Sequence, residues 1–162
     1  MNRSAEISED GLYRYRLDRW WGDGARVLWI MLNPSTADAE VDDPTIRRCI
    51  GFTKAWGYDG LTVVNMYPFR ATKPADLRRW LRRGGDAVAL NKNSDVTLKL
   101  RRAAPLVIAA WGANADFNPI DDFWTDVYHL GRTGGGQPRH PLFVLGDTKP
   151  IPWAAAPTTE EE

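Results

Sequence analysis

Residues 26–32 read RVLWIML and run directly into NPST at residues 33–36. An unbroken apolar run of this length is typical of a β-strand that is buried on both faces of a sheet. Similar apolar runs follow at residues 61–67 and 106–111, and helical sequence separates them. Apolar strands that alternate with helices predict a parallel sheet, and right-handed crossovers place helices on both of its faces.

Caps and turns divide the rest of the chain into elements. Asp43 followed by Pro44 is typical of a helix N-terminus, and Gly57 is placed to end that helix. Alternating polar and apolar residues predict a half-exposed strand at residues 12–21. The pattern also predicts helices at residues 74–83, 87–103 and 119–128 and a fourth strand at residues 127–130. The expected fold is therefore α/β, a three-layer α/β/α sandwich around a mainly parallel four-stranded sheet with an N-terminal antiparallel strand.

The length and composition are those of an ordinary globular domain. The 162 residues predict one domain at residues 1–153, followed by a flexible acidic tail at residues 154–162. The first ten residues are polar and acidic, unlike a signal peptide, and no apolar run approaches the ~18–20 residues of a membrane span. Cys49 is the one cysteine and cannot form an internal disulfide. We therefore expect a cytoplasmic monomer with no membrane partner.

Charge and metal-binding residues limit the possible functions. The 21 basic and 21 acidic residues give zero net charge, which argues against strong non-specific affinity for nucleic acid but allows a local basic face. One cysteine and two histidines are too few for the usual zinc site. We therefore expect neither a metal ion nor another cofactor in the preferred interpretation.

Polar side chains follow each predicted strand of the sheet. Ligands of open α/β sheets bind beyond the carboxyl ends of the strands, so these side chains are expected to share one cleft. Amide and imidazole groups can hydrogen-bond the edge of a nucleobase, and aromatic rings can stack on its face. The polar residues are Asn33, Asn65, Asn114 and His140, and the aromatic residues beside them are Tyr67, Phe69 and Trp111.

Each of these residues also has an ordinary structural explanation. Asn33 before Pro34 is compatible with a simple turn, and Asn65 with an amide that bonds the backbone. Trp111 is compatible with a core position. Arg47 and Arg48 suit either a solvated helix face or a phosphate.

Five sequence blocks closely resemble one family, the domain of unknown function 1643. Together they cover roughly residues 12–153, nearly the whole chain. The name of this family does not state a function. The blocks are MLNPSTA at residues 31–37, VDDPTIRRC at 41–49, VVN at 63–65 with RAT at 70–72, AWGA at 110–113 and QPRHPLF at 137–143.

A more distant resemblance is to the uracil-DNA glycosylase superfamily. MLNP at residues 31–34 is similar to the Gly-Ile-Asn-Pro motif of its mismatch-specific branch, although Met31-Leu32 replaces the Gly-Ile pair. RHPL at residues 139–142 is similar to the superfamily's His-Pro-Ser motif, with Leu142 in place of serine. This resemblance implies strand order 2-1-3-4, counted over the four predicted parallel strands.

The resemblance also implies a reaction, hydrolysis of the N-glycosidic bond of a flipped and possibly modified pyrimidine in DNA. Asn33 would position the attacking water, and His140 would stabilise the negative charge on the leaving base. Asn65 would bond the base edge. The base would also be surrounded by Pro34, Ser35, Tyr67, Phe69, Trp111 and Asn114.

The same resemblance assigns residues to the DNA around the flipped base. Leu142 would be the wedge that fills the gap left in the duplex. The phosphates would be bound by Arg47, Arg48, Arg70 and Arg139, which position the DNA without reading its sequence.

Two alternatives use other features of the sequence. Asp42 and Asp43, followed by Arg47 and Arg48, suit magnesium and phosphate in a metal-dependent enzyme that acts on a nucleotide or on DNA base hypermodification. A non-catalytic module that binds a base, a nucleic-acid end or a protein would instead use exposed tryptophans such as Trp20, Trp21 and Trp80.

Overall fold

The computed structural model describes residues 1–119 and 121–154, apart from the side chain of Asp121. Most of the predicted tail, residues 155–162, lies outside the described residues. The strands are β1 (Asn2–Ile7), β2 (Arg14–Trp20), β3 (Arg26–Met31), β4 (Gly60–Asn65), β5 (Leu106–Ala109), β6 (Tyr128–His129) and β7 (Ile151–Pro152). The helices are α1 (Pro44–Ala55), α2 (Pro74–Arg82) and α3 (Ala87–Ala103), with 3-10 helices at Asp121–Phe123 and Pro141–Phe143. None of the described helices is long and apolar enough to cross a membrane.

The seven strands form one mixed sheet in the order β1-β2-β4-β3-β5-β6-β7. Its centre is the parallel set β4-β3-β5-β6, and β2, β1 and β7 pair antiparallel at the two sides. Met31 pairs with Asn65, and Ile30 pairs with Ala109. This register brings the carboxyl ends of β3, β4 and β5 to one edge of the sheet, where the predicted site residues begin.

The expected sheet of four parallel strands with one extra strand is wrong in its strand count. β1 was missed because its sequence, NRSAEI, is mostly polar and exposed and carries no apolar signal. β7 was missed because it has only two residues, Ile151–Pro152, and forms a short edge pairing with β6.

The helix predicted at residues 119–128 is also wrong. Apart from Ile120, which lies outside the described residues, this stretch contains only one 3-10 turn before β6. The guanidinium of Arg101 bonds the Phe123 carbonyl and the Asp126 carboxylate, while Trp124 and Val127 are buried against the sheet. Tertiary contacts therefore override the local helical preference.

Apolar clusters cover both faces of the sheet. On one face, Trp29 and Val63 pack against Cys49 and Phe52 of α1. On the other face, Ile30 and Val107 belong to a cluster against which the C-terminal part of α3 packs. Trp111, Trp124 and Trp153 belong to this second cluster, so with Trp29 four of the eight tryptophans are core residues.

β2 is an interior strand rather than the half-exposed strand that its alternating pattern predicts. It lies between β1 and β4, and two of its charged side chains, Asp18 and Arg19, are buried in ion pairs. Arg19 is 0% exposed, and its Nε donates to Asp42 Oδ1 at 2.7 Å. Asp18 accepts hydrogen bonds from Arg16 Nε at 2.8 Å and from Thr62 Oγ1 at 2.6 Å.

The segment between β3 and α1, residues 32–43, has no helix or strand and is fastened by arginines. We call it the β3–α1 loop. Arg14 donates to the Ala37 carbonyl at 2.9 Å, and Arg19 donates to the carbonyls of Asp38 and Val41. Arg70 donates to the Ser35 carbonyl at 3.3 Å and to the Thr36 carbonyl. These side-chain donors supplement a few backbone hydrogen bonds, such as those from Ala71 N–H to the Pro34 carbonyl at 2.9 Å and from Asp38 N–H to the Val41 carbonyl at 3.0 Å.

Arg19→Ala is expected to lower the free energy of unfolding by about 3–5 kcal/mol, since it removes the buried partner of Asp42 and the donor to the Asp38 carbonyl and leaves Asp42 with only the more exposed Arg3. Urea denaturation followed by circular dichroism measures the change. Arg102→Ala, at an exposed position of α3, is the control and should change stability by less than about 0.5 kcal/mol. Equal effects of the two substitutions would contradict this role for Arg19.

Candidate functional site

A cavity of about 500 Å³ opens at the carboxyl ends of β3, β4 and β5. It lies between the β3–α1 loop and the segment that leads into the Pro141–Phe143 turn. The structure brings together here the four polar residues that follow the predicted strands. The predicted residues that line it are Asn33, Ser35, Asn65, Trp111, Asn114, Arg139, His140 and Leu142.

Asn33 presents its amide oxygen for hydrogen bonding. Its Nδ2 donates to the carbonyls of Ala71 at 2.9 Å, Pro34 at 3.1 Å and Phe69 at 3.3 Å. These bonds fix which end of the amide is nitrogen. No described residue donates to Oδ1, so this oxygen can accept a hydrogen bond from water or a ligand.

His140 is held as a neutral hydrogen-bond donor. Its Nδ1 accepts the backbone N–H of Leu142 at 3.2 Å, so the proton of the neutral ring is on Nε2. Burial lowers the pKa of the imidazole, and the nearby charge of Asp43 opposes that effect. The ring is also close to the backbone of Gly112, which has φ +79°. A Cβ at that position would lie 3.1 Å from the Cβ of His140.

Asn65 is the most unusual residue of the site. It is 1% exposed, and neither Nδ2 nor Oδ1 has a hydrogen-bond partner within the described chain. Its backbone carbonyl, in contrast, accepts Nδ2 of Asn93 at 2.8 Å. A buried polar group without a partner costs about 1–3 kcal/mol, so this amide is poorly explained by a purely structural role.

Arg14 is a site residue that the sequence did not reveal. It lines the cavity, is 2% exposed and uses Nη1 to bond the Ala37 carbonyl. Its Nε is buried without a partner in the part of the chain described. Burial lowers the pKa of the guanidinium to about 10, so Arg14 remains charged at neutral pH. In the alternating pattern of residues 12–21 it resembles any outward-facing arginine, so the sequence offered no signal for it.

Several predicted residues lie outside the cavity lining. Phe69 stacks on Trp80 with ring centroids 5.1 Å apart. Pro34 is buried and contributes its carbonyl to Asn33. Tyr67 is half-buried and does not line the cavity.

The arginines predicted to bind phosphate are mostly engaged with backbone carbonyls. Arg48 donates to Pro141 at 3.2 Å and to Val144, which ties α1 to the Pro141–Phe143 turn. Arg47 donates to the Asp42 carbonyl at 3.2 Å, and Arg70 holds the β3–α1 loop. Arg139 is the one of these four arginines that lines the cavity. It is exposed, and its Nε donates to the backbone carbonyl of Arg132.

The acidic pair is used by the fold. Asp42 is paired with Arg19 and, at 3.2 Å, with Arg3. Asp43 lines the cavity, and its Oδ1 caps α1 by accepting the Ile46 N–H at 2.9 Å. Across the described ranges, no group of three or more His, Cys, Asp or Glu side chains could hold a metal ion.

The tryptophans singled out as exposed platforms also have contacts within the protein. Arg26 lies over the ring of Trp20, and Nε1 of Trp21 donates to the Tyr58 carbonyl at 3.1 Å. Trp111 is 2% exposed, and its Nε1 donates to Gln137 Oε1 at 2.7 Å. Trp111 is therefore a core residue that forms part of the cavity wall.

The imidazole of His140 should titrate below the ordinary histidine value near 6.5. NMR titration of the ring protons measures the pKa, and comparison with His140→Gln separates its signal from that of His129. In Asp43→Asn the pKa should fall further, because the opposing negative charge is removed. A pKa above 6.5 in the parent protein would contradict the neutral-donor assignment.

Comparison with known proteins gives a family and no function. The model of the family described as protein of unknown function DUF1643 matches residues 14–142. Searches of curated proteins and of solved structures find no significant match. The resemblance to uracil-DNA glycosylases gains no support from these comparisons and stays a prediction. Because the matched region covers most of the sequence, the chain belongs to the DUF1643 family.

Proposed function

We propose that the cavity binds a nucleobase and hydrolyses its N-glycosidic bond, as a DNA glycosylase does. The observation that carries this proposal is the buried amide of Asn65, which has both a free donor and a free acceptor at the cavity wall. An amide of this kind forms two hydrogen bonds with a base edge that presents an acceptor beside a donor. A base in the cavity would supply the partners that Asn65 lacks.

The reaction uses the two oriented groups on either side of the cavity. The Asn33 oxygen accepts a hydrogen bond from water and directs its lone pair at the anomeric carbon of the sugar. A carbon–oxygen bond forms there as the carbon–nitrogen bond breaks, and the bonding electrons leave with the base. The Nε2–H of His140 donates to the base as it becomes negative. The water proton is finally taken by the base, which gives a free base and a sugar hydroxyl.

Arg14 contributes a fixed positive charge to this scheme. It lies in the wall of the same cavity, and its loop contact leaves part of the guanidinium without a protein partner among the described residues. A cation in a buried setting stabilises an anionic leaving base more strongly than one in water would. No metal ion takes part in this mechanism.

Excision is tested with duplex and single-stranded oligonucleotides that carry uracil, hydroxymethyluracil, mismatched thymine or alkylated bases. The reaction is run in EDTA, and alkali then cleaves the abasic sites. Asn33→Ala and His140→Ala should each reduce excision by about 10²–10³-fold, because each removes a group that acts in the transition state. Asn91→Ala, on the exposed surface of α3, is the matched control.

Two outcomes would remove the glycosylase assignment. Excision that survives both Asn33→Ala and His140→Ala would show that another site performs it. No excision from any substrate, together with measurable binding, would favour the non-catalytic module.

Arg14 and Asp43 support a second candidate, a metal-dependent enzyme that acts on a nucleotide or on a pyrophosphorylated base of DNA. They place a buried cation and a carboxylate on the wall of one cavity, which suits a phosphate with its magnesium ion. Strict dependence of turnover on magnesium would favour this candidate. Full activity in EDTA would exclude it.

Asn65→Ala should abolish base binding while leaving the free energy of unfolding unchanged or increased by about 1 kcal/mol, because the amide lacks protein partners that the fold would lose. Asn93→Ala is the contrasting variant. It should lower stability by about 1–3 kcal/mol, since it leaves the carbonyls of Asn65 and Met66 without their donor. Urea denaturation and calorimetric titration with free bases measure the two effects. Marked destabilisation by Asn65→Ala would argue for a structural role.

A further inference from the structure

The α2 segment concentrates positive charge in a protein whose total charge is zero. Asp76 is the one acidic residue from residue 73 to residue 83. The five basic residues of this stretch are all exposed, and we call them the α2 basic face. They are Lys73, Arg78, Arg79, Arg82 and Arg83.

Three of the four arginines of this face have no side-chain partner among the described residues. Arg79 contacts Asp76 at 3.3 Å, an exposed pair of the kind that contributes at most about 1 kcal/mol. Arg78, Arg82 and Arg83 form no side-chain hydrogen bond or ion pair with any residue the structure describes. Arg19, in contrast, is fully buried against Asp42.

The spacing of these arginines works against the helix itself. Arg78 and Arg82 are four residues apart, and so are Arg79 and Arg83. Like charges at this spacing destabilise a helix by about 0.2–0.5 kcal/mol per pair. This repulsion is offset, because Arg79 and Arg82 lie in the last turn of α2, where a positive charge is favourable beside the negative end of the helix dipole. The spacing therefore has little net effect on the helix, and the clustered exposed charge suits an anionic partner.

A groove of about 330 Å³ runs beside this face. Its charged lining residues are Arg70, Arg79, Arg83 and the acidic Asp76, and its aromatic lining residues are Phe69 and Trp80. The two aromatic rings are half-buried and stack with an interplanar angle of 1°. Flat rings beside a row of cations are the combination by which proteins bind single-stranded nucleic acid, with bases on the rings and phosphates on the cations.

The groove and the candidate active-site cavity are adjacent. Ala71 and Thr72 line both of them. Four of the five basic residues, all except Arg79, have no acidic partner among the described residues, which allows about four phosphate contacts. A strand on the α2 basic face would therefore lead directly to the cavity.

We propose that the α2 basic face, with the Phe69–Trp80 pair, is the surface that binds a nucleic-acid strand and leads it into the cavity. The substrate is accordingly a polymer and not a free nucleotide. What the cavity does to the strand rests on the proposed function; binding of the strand to α2 does not.

The test is fluorescence anisotropy with a labelled single-stranded 15-mer that contains no substrate base, titrated between 50 and 200 mM salt. For about four phosphate contacts, the logarithm of the binding constant should fall with the logarithm of salt concentration with a slope near −3. The double variant Arg82→Gln/Arg83→Gln should weaken binding at low salt by more than tenfold and reduce the slope by about 1.4. Trp80→Leu should weaken binding with the slope unchanged.

The matched control is Lys99→Gln/Arg102→Gln, which removes the same charge from exposed positions in the C-terminal part of α3. Its affinity should stay within twofold of the parent protein. An equal loss in the control, equally tight binding of polyglutamate, or no binding of the oligonucleotide would each overturn the proposal. Circular dichroism establishes that every variant is folded.

Failure of this proposal can be told apart from failure of the proposed function. Strand binding that depends on α2, without excision of any base, would support the binding surface and contradict the glycosylase proposal. If Arg82→Gln/Arg83→Gln excises bases from oligonucleotides with an unchanged rate and KM, the binding surface is contradicted and the glycosylase proposal stands.

Discussion

The site depends on the hydrogen bonds by which buried arginines hold the β3–α1 loop. This loop has no regular secondary structure, yet it carries Asn33 and ends at the cap residue of α1. Arg14, Arg19 and Arg70 donate to its carbonyls from three directions. A loop of this length with few backbone hydrogen bonds would otherwise be more mobile, and the position of Asn33 at its start would be less well fixed.

The sequence predicts the parts of the fold and site that depend on local patterns. The apolar runs of β3, β4 and β5 and the three helices are evident because each has a regular period. The meeting of Asn33, Asn65 and His140 follows from the rule that parallel strands share a carboxyl edge. Phe69 and Tyr67 were placed by the same rule and lie elsewhere, because position along the chain does not fix the direction of a side chain.

Other features depend on partners that are distant in sequence. Arg14 and Arg19 are buried against residues of the β3–α1 loop that lie 19 to 23 residues further along the chain, and β1, which makes β2 an interior strand, has a polar sequence. The irregular path of residues 121–127 follows from the contacts of Arg101 and the burial of Trp124. Zero net charge likewise conceals the distribution of charge. The arginines of β1 and β2 contact acids or carbonyls, whereas those of the α2 basic face are exposed to water.

Arg48 has a consequence for the turn at Pro141–Phe143. Its guanidinium bonds the carbonyls of Pro141 and Val144, which lie on either side of Leu142 and Phe143. These two apolar side chains are 44% and 77% exposed, on a backbone fixed at both ends. The conformational entropy of this segment has thus already been lost on folding, so a molecule that meets it gains apolar contact with little further ordering of the protein.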